Sequence, residues 1–243
     1  MRLSDRCYAV TGLAYKFPSV LNAGFIVGDR ETLIVDTGAN AMAAATIHGY
    51  ATPVRESNAL RVINTEKHFD HIGGNGFFRE LEVPIYGHSG IQRTPAEFLE
   101  ERATFHPAFH YATMPVNPEH GFADEFSFDL GGCNVEVLLT PGHTDTNVSV
   151  WVPEDRVLYV GDCLTNQFAP NLDAADGLSS WQEWLKSLDR IEVLQPEVVV
   201  CGHGPVEFGA DVLTLMDRVR KVLLQRVTAA LAITTAEPED IDS

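Results

Sequence analysis

Apolar residues come in short bursts along the first third of the chain, the spacing expected of β-strands. Residues 22–28 (NAGFIVG) and 32–36 (TLIVD) are two such bursts, and Gly28-Asp29-Arg30-Glu31 between them predicts a hairpin connection. The alanine-rich stretch 39–50 predicts a helix. Residues 60–63 form a short buried strand that delivers the chain directly to Asn64-Thr65-Glu66-Lys67-His68. A glycine-rich helix start at Gly73-Gly74-Asn75-Gly76 and a strand at 83–86 make a second αβ unit. Residues 90–126 break the pattern. There 95–104 (PAEFLEERAT) reads as helix, followed by Pro107, Pro115 and Pro118 among the aromatics Phe105, Phe109, Tyr111 and Phe122. That mixture predicts an insertion of helix plus loop rather than a continuation of the sheet.

The second half repeats the style of the first. Residues 135–139 (VEVLL) predict a strand ending at Thr140-Pro141-Gly142-His143. Strands at 148–152 and 157–160 are joined through Pro153-Glu154-Asp155-Arg156, and the second ends at Gly161-Asp162. Across 180–194, Trp181, Trp184, Leu185, Leu188, Ile191 and Leu194 are spaced for an amphipathic helix. Residues 198–200 form a buried strand ending at Cys201-Gly202-His203-Gly204, and 211–232 a long terminal helix. Two similar β-rich halves, each flanked by helices, predict an α/β fold of the αββα type: two sheets face to face with helices outside, four layers in all. The expected organisation is a single domain over 1–243, with the insertion at about 90–126 and the C-terminal helix at about 211–232.

Composition narrows the classes of partner. Hydrophobic residues make up 45% of the 243, enough for a sizeable core without disulfide staples. The net charge of −17 repels phosphate backbones and anionic lipid, so neither nucleic acid nor a membrane surface is expected as a partner, and a small-molecule substrate is. Part of the acidic excess has a natural place at a metal site, where cations neutralise carboxylates. The oligomeric state is left open. Cys7, Cys133, Cys163 and Cys201 are widely spread with no CxxC pair, which reads as free thiols in a reducing compartment. The first residues, MRLSDRCYAVTGLAYKF, lack an apolar stretch of about 7–15 residues, and no apolar run reaches the ~20 that span a bilayer, so the expected location is cytoplasmic. The tail Ala236-Glu237-Pro238-Glu239-Asp240-Ile241-Asp242-Ser243 is acidic and expected to fray.

The candidate chemistry sits where strands end. A strand stops and a histidine or acid follows at once in a glycine-rich turn, at Glu66/His68/Asp70/His71, at His143, at Asp162 and at His203. Strand ends on one rim of a sheet are close in space, so these seven ligand-type side chains can converge. In an extended segment residues two apart point the same way, so Glu66, His68 and Asp70 are expected to project together while His71 turns away. One short loop can then feed two metals about 3.5–4 Å apart. Imidazole and carboxylate ligands suit zinc, iron or manganese. Alone, any of these positions reads as a turn residue or cap. Cys163 reads as packed near the site rather than as a ligand, Cys201 as packed, and His106, His110 and His120 as surface residues. Trp181 and Trp184 read as core, with one able to face the pocket.

The motifs Asp36-Thr37-Gly38, Glu66–His71 followed by Gly73-Gly74-Asn75, Pro141-Gly142-His143-Thr144, Gly161-Asp162 and Cys201-Gly202-His203-Gly204 resemble, in order and spacing from Gly24 to Pro205, those of the metallo-β-lactamase superfamily, which includes glyoxalase II and lactonases. The resemblance implies the αββα fold and two metal sites. One would use Glu66, His68 and His143, the other Asp70, His71 and His203, with Asp162 bridging both and Asp36 hydrogen-bonded behind the ligands. The chain departs from the family's His-x-His-x-Asp-His in having glutamate first. Glu66 either binds through a carboxylate oxygen, making its metal site harder and favouring manganese or iron, or weakens the site.

The resemblance further implies a metal-dependent hydrolase of esters, thioesters, lactones or lactams, with two divalent ions, zinc first and manganese or iron as alternatives. Asp70 would orient the attacking water and shuttle its proton. Pocket walls are expected from residues 105–122 and 166–178. The short segment after His203 argues against glyoxalase II activity itself. An iron-dependent persulfide dioxygenase and a non-catalytic binding or relay protein of the same fold remain as alternatives.

Overall fold

In the computed structural model, which describes residues 1–13, 20–104, 116–167, 169–172 and 178–235, the strands form two six-stranded sheets. The first sheet runs β1 (Cys7–Val10), β2 (Ala23–Val27), β3 (Glu31–Val35), β4 (Ala59–Ile63), β5 (Ile85–His88) and β6 (His120–Phe122), in that order. It is antiparallel through β3 and parallel beyond it. The second sheet runs from β7 (Phe126–Asp129) through β8 (Asn134–Leu139), β9 (Val148–Val152), β10 (Val157–Gly161) and β11 (Val198–Cys201) to β12 (Glu207–Phe208). Only its β10–β11 pair is parallel.

Strand alternation sorts the apolar residues into layers. Leu33 and Val35 of β3 enter the core between the sheets with Val157, Tyr159, Val198 and Val200 from the other side. Ile34, between them in sequence, faces outward against α1 (Ala41–Arg55) and α3 (Asn75–Glu80), where it packs with Ala44, Ile47 and Phe78. In the second sheet Leu158, Val160 and Val199 face α5 (Leu178–Leu194) and α6 (Ala210–Thr235), meeting Trp184, Leu188, Val219 and Leu223. The result is the αββα sandwich, helices outside two sheets. No helix among the described residues is long and apolar enough to cross a membrane.

The structure differs from the sequence reading in several places. β6 adds to the first sheet, parallel to β5, so residues 90–126 are not helix and loop throughout: α4 (Pro95–Thr104) is there, and their end returns to the sheet. β6 is three residues containing glycine, too short for its alternation to register. α1 runs to Arg55, taking Pro53 into its last turn rather than stopping near residue 50. Its start is set by Asn40, whose side chain accepts a hydrogen bond from the Ala43 amide at 2.9 Å. β5 lies two residues further along than the predicted strand. Phe105, His106, Pro107, Phe109, His110, Tyr111 and Pro115, most of the expected 166–178 wall beyond Gln167, and the acidic tail lie outside the described residues.

What matters for the site is the rim where β3, β4, β10 and β11 all end. The sheets are tied together there. The Val148 amide donates to the Thr65 carbonyl at 2.7 Å, and the Asn22 amide to the Gly202 carbonyl at 2.8 Å.

Candidate metal centre

After Ile63 the chain bends away from β4 through residues 65–68, and Glu66 and His68 bring their side chains together, His68 Nδ1 2.9 Å from Glu66 Oε1. Phe69–Ile72 is one turn of helix, α2, so Asp70 and His71 leave the rim in another direction. The expectation that Asp70 projects with Glu66 and His68 is thus corrected: Asp70 lies on the helical turn against His203, while His71 on the same turn still brings Nε2 within 3.3 Å of Glu66 Oε1.

Glu66 with His68, and Asp70 with His71, each meet a histidine from the second sheet. Glu66, His68 and His143 bring ligand atoms within 4.8 Å of one another, and so do Asp70, His71 and His203. Within the first triad His68 Nδ1 is 2.9 Å from Glu66 Oε1 and 3.2 Å from His143 Nε2. Within the second, His203 Nε2 is 3.1 Å from Asp70 Oδ2. Asp162 lies between them. Its Oδ2 is 3.5 Å from His143 Nε2 and 3.4 Å from His203 Nε2, and its Oδ1 is 3.5 Å from His71 Nε2. The approach is possible because residue 202 is glycine: a Cβ there would sit 2.1 Å from Asp162 Oδ1. All seven predicted side chains are therefore brought together on one rim.

Further groups aim two of the imidazoles and hold the backbone beneath them. Asp36 Oδ2 accepts from His71 Nδ1 at 2.8 Å, while the Thr65 amide and hydroxyl donate to the same carboxylate at 2.7 and 2.6 Å. With Nδ1–H committed to Asp36, Nε2 is the nitrogen His71 offers to the rim. The Val20 carbonyl accepts from His203 Nδ1 at 3.0 Å, to the same effect. Asn64 and Thr37, both fully buried, donate to the His71 carbonyl at 3.2 and 3.0 Å and share Asn75 between them. Asn22 binds the Cys201 and Gly204 carbonyls around His203 at 2.9 and 2.7 Å. Thr37 and Asn75 belong to the motifs that carry the family resemblance, whereas Asn22 and Asn64 have no assigned role in the sequence; the available signal is a polar residue directly before or after an apolar strand, where water cannot satisfy it.

Electrostatics favour a cation on this rim. Burial opposes charge on every group, yet Glu66 is fully buried and its carboxyl is held below the usual carboxylate range by His68 and His71. His203 and His71 hold Asp162 well below that range against the same burial. In return, and again against burial, Glu66 pushes the His68 imidazole up to about 9, and Asp162 pushes His203 up to about 10. The Asp70 carboxyl is lowered in the same way by His203 and His71, so three buried carboxylates rely on imidazolium protons for compensation, a role that a metal ion fills with fewer constraints. Buried His71 Nε2 and Asp162 Oδ1, 3.5 Å apart, have no hydrogen-bond partner among the described residues. The donor set of imidazoles and carboxylates, with two orphaned atoms facing the same space, fits divalent cations.

The family model of the metallo-beta-lactamase superfamily matches residues 18–203. The chain belongs to that superfamily. It is 27% identical to a metallo-beta-lactamase type 2 from Bacteroides fragilis over 84% of this chain and 78% of the relative. It is 28% identical to a hydroxyacylglutathione hydrolase from Methylococcus capsulatus, over 86% and 75%. A metallo-beta-lactamase family protein from Thermus thermophilus superposes with a TM-score of 0.73 at 22% identity, covering 97% of this chain and 85% of that one, which shows the shared fold. Superfamily members are mostly metallo-hydrolases, and membership supports a metal-dependent hydrolase here as well. Of the other sequence candidates, Cys163 and Cys201 pack into the core under α5 and α6, and His120 is exposed, stacked on Tyr86.

Proposed function

We propose that this superfamily member hydrolyses an activated carbonyl bond in a small molecule, an ester, thioester, lactone or lactam, using a binuclear centre. Glu66, His68 and His143 would hold one ion, Asp70, His71 and His203 the other, and Asp162 would face both. The observation that carries this reading is the pair of three-donor clusters meeting across one buried carboxylate. Divalent ions bound there supply Lewis acidity and a water deprotonated near neutral pH. Asp70, only 6% exposed and 3.1 Å from His203 Nε2, would orient that water and carry its proton to the leaving group. Thioesters are the first substrates to assay, since a hydroxyacylglutathione hydrolase and an acyl-coenzyme A thioesterase from Gallus gallus are among the relatives. Four buried free thiols suit a reducing, cytoplasmic setting.

Zinc is the first candidate metal. Glu66 in place of an imidazole hardens its cluster, so manganese and iron compete there better than they would against three histidines. The test is metal analysis of protein purified without chelator, with turnover of a thioester, lactone, ester and lactam panel. Two ions per chain, with activity lost on chelation and regained with zinc or manganese, are expected. A single iron with oxygen consumption on a glutathione persulfide would overturn the hydrolase reading. Glu66→His should raise zinc affinity relative to manganese; an unchanged metal ranking would place Glu66 outside the coordination sphere.

A further inference from the structure

His143 sits on a turn, residues 139–143, whose contacts include none of the anchors described above. Within its own sheet Thr140 is bonded to Asn147 and Ser149, and the residues on either side of Thr140 are held from the outer helix layer. Trp184, Ser187 and Arg190 lie three residues apart along α5 and so are neighbours on one face. Arg190 Nη1 donates to the Leu139 carbonyl at 2.8 Å, and Ser187 Oγ to the Pro141 carbonyl at 2.7 Å. Trp184, fully buried, lies flush against Gly142: a Cβ on residue 142 would fall 2.2 Å from the indole Cγ. The same ring meets the His143 imidazole edge-on, centroids 5.9 Å apart, and its Nε1–H donates to the Cys163 carbonyl at 2.8 Å, one residue beyond Asp162.

We infer that this face of α5 is a positioning device for the metal centre: Ser187 and Arg190 set the height of the His143 turn, and Trp184 ties that turn to Asp162. The inference rests on the metal-centre reading above. A helix that served only as a lid over the sheet would need apolar contacts alone. Here two carbonyls of one turn, those of Leu139 and Pro141, are gripped by side-chain donors, and Ser187 is 2% exposed, so its hydroxyl is placed by that bond rather than by solvent. Removing Ser187 Oγ frees the His143 turn but leaves the Asp70, His71 and His203 cluster untouched. Removing the indole N–H loosens Asp162, which faces both clusters.

The test reads each cluster separately by zinc competition with a chromophoric chelator, using His203→Ala to leave the first cluster and His143→Ala to leave the second. Ser187→Ala is expected to weaken the ion in the His203→Ala chain about tenfold and to leave the ion in the His143→Ala chain unchanged. Trp184→Phe, which keeps a ring and loses the donor, is expected to weaken both. Circular dichroism at the assay temperature confirms that each variant is folded; Arg190→Ala, altering a contact nearer the surface, replaces Ser187→Ala if that variant is not. Equal weakening of both clusters by Ser187→Ala, or no change in either, overturns the positioning role. A parent chain that binds no zinc overturns the metal-centre reading itself, and this inference with it.

Discussion

The two donor clusters are built from the same residue types and supported in different ways. His71 and His203 each have the ring nitrogen remote from the rim fixed, by Asp36 at 2.8 Å and by the Val20 carbonyl at 3.0 Å. The backbone beneath His71 is gripped as well, its carbonyl receiving Thr37 and Asn64. Glu66, His68 and His143 are joined chiefly to each other, at 2.9 and 3.2 Å, and the His68 side chain is 27% exposed. Their outer supports include α5, a surface ion pair and Arg93, which donates to the Lys67 carbonyl. The second cluster is therefore preorganised, whereas the first takes part of its order from whatever it binds. Metal should fill them in that sequence, the second cluster first.

The comparison fails most completely if the clusters do not share a residue, and Asp162 tests that. Asp162→Ala removes a carboxylate that meets His143 of one cluster and His71 and His203 of the other, and hydrolysis should fall by about 100-fold or more while the chain still melts cooperatively. A turn aspartate acting only as a cap would cost about 1 kcal/mol of stability and little activity. Specific activity and thermal melting measured on the same sample separate the two outcomes.

The preorganisation of the second cluster depends on Asp36, and here an isosteric change suffices. Asp36 holds φ at 62°, a region asparagine tolerates, so Asp36→Asn keeps the backbone. It does not keep the hydrogen bonds. If the amide oxygen takes the Thr65 amide, the amide nitrogen faces His71 Nδ1, which must then accept and leave its proton on Nε2, the atom aimed at the metal. Zinc affinity of the second cluster should fall about 10- to 100-fold, with the first cluster little changed. Equal loss at both would show that the two are one cooperative unit.

Much of this arrangement was readable in the chain. Each donor follows an apolar strand in a glycine-rich turn, so the rim and its seven donors could be gathered from strand ends alone. The division into two clusters came with the family resemblance and not from the strand ends. It depends on α2 beginning at Phe69, and a four-residue helix leaves too few positions for its period to show. β12, two residues long, was missed for the same reason. Asn22 and Asn64 were hidden for another: a buried asparagine resembles a loop asparagine until its partners, up to 182 residues away for Asn22, are in place. Ser187 looked like any polar residue on an amphipathic helix, because the carbonyl it binds belongs to a turn 46 residues earlier.

The protonation of the metal-free rim sharpens the comparison through pH. His68 is pushed up to about 9 and His203 to about 10, against an ordinary value of 6.5. Both therefore hold protons at pH 7 without metal, and each imidazolium compensates a buried carboxylate. A raised folded-state value means that this stabilisation is complete below about pH 6.5 and is lost as pH climbs through 9 to 10. Chelator-treated protein should thus melt at lower temperature at pH 9.5 than at pH 7. Zinc binding at pH 7 should release protons, seen as a dependence of the calorimetric heat on buffer ionisation. Binding without proton release would mean that the imidazoles are already neutral.

The smallest effect expected is at the surface tie of the first cluster. Lys67 lies between Glu66 and His68 in sequence, Asp145 two residues after His143, and Lys67 Nζ meets Asp145 Oδ1 at 2.7 Å, spanning the two loops that supply the cluster. The geometry invites a large role, but the magnitudes argue against one. The side chains are 33% and 68% exposed, and an exposed pair is worth about 0–1 kcal/mol and weakens as salt screens it. The loop also has a support that does not use the lysine side chain, because Arg93 Nη1 donates to the Lys67 carbonyl at 3.3 Å. Lys67→Ala should weaken zinc at the first cluster by about two- to threefold in low salt, and the difference from the parent should vanish near 0.5 M salt, where the screening length is only about 4 Å. A salt-independent loss as large as that of Asp36→Asn would reverse the comparison, making the exposed tie, rather than α5 and the donors' mutual contacts, the principal support of the first cluster.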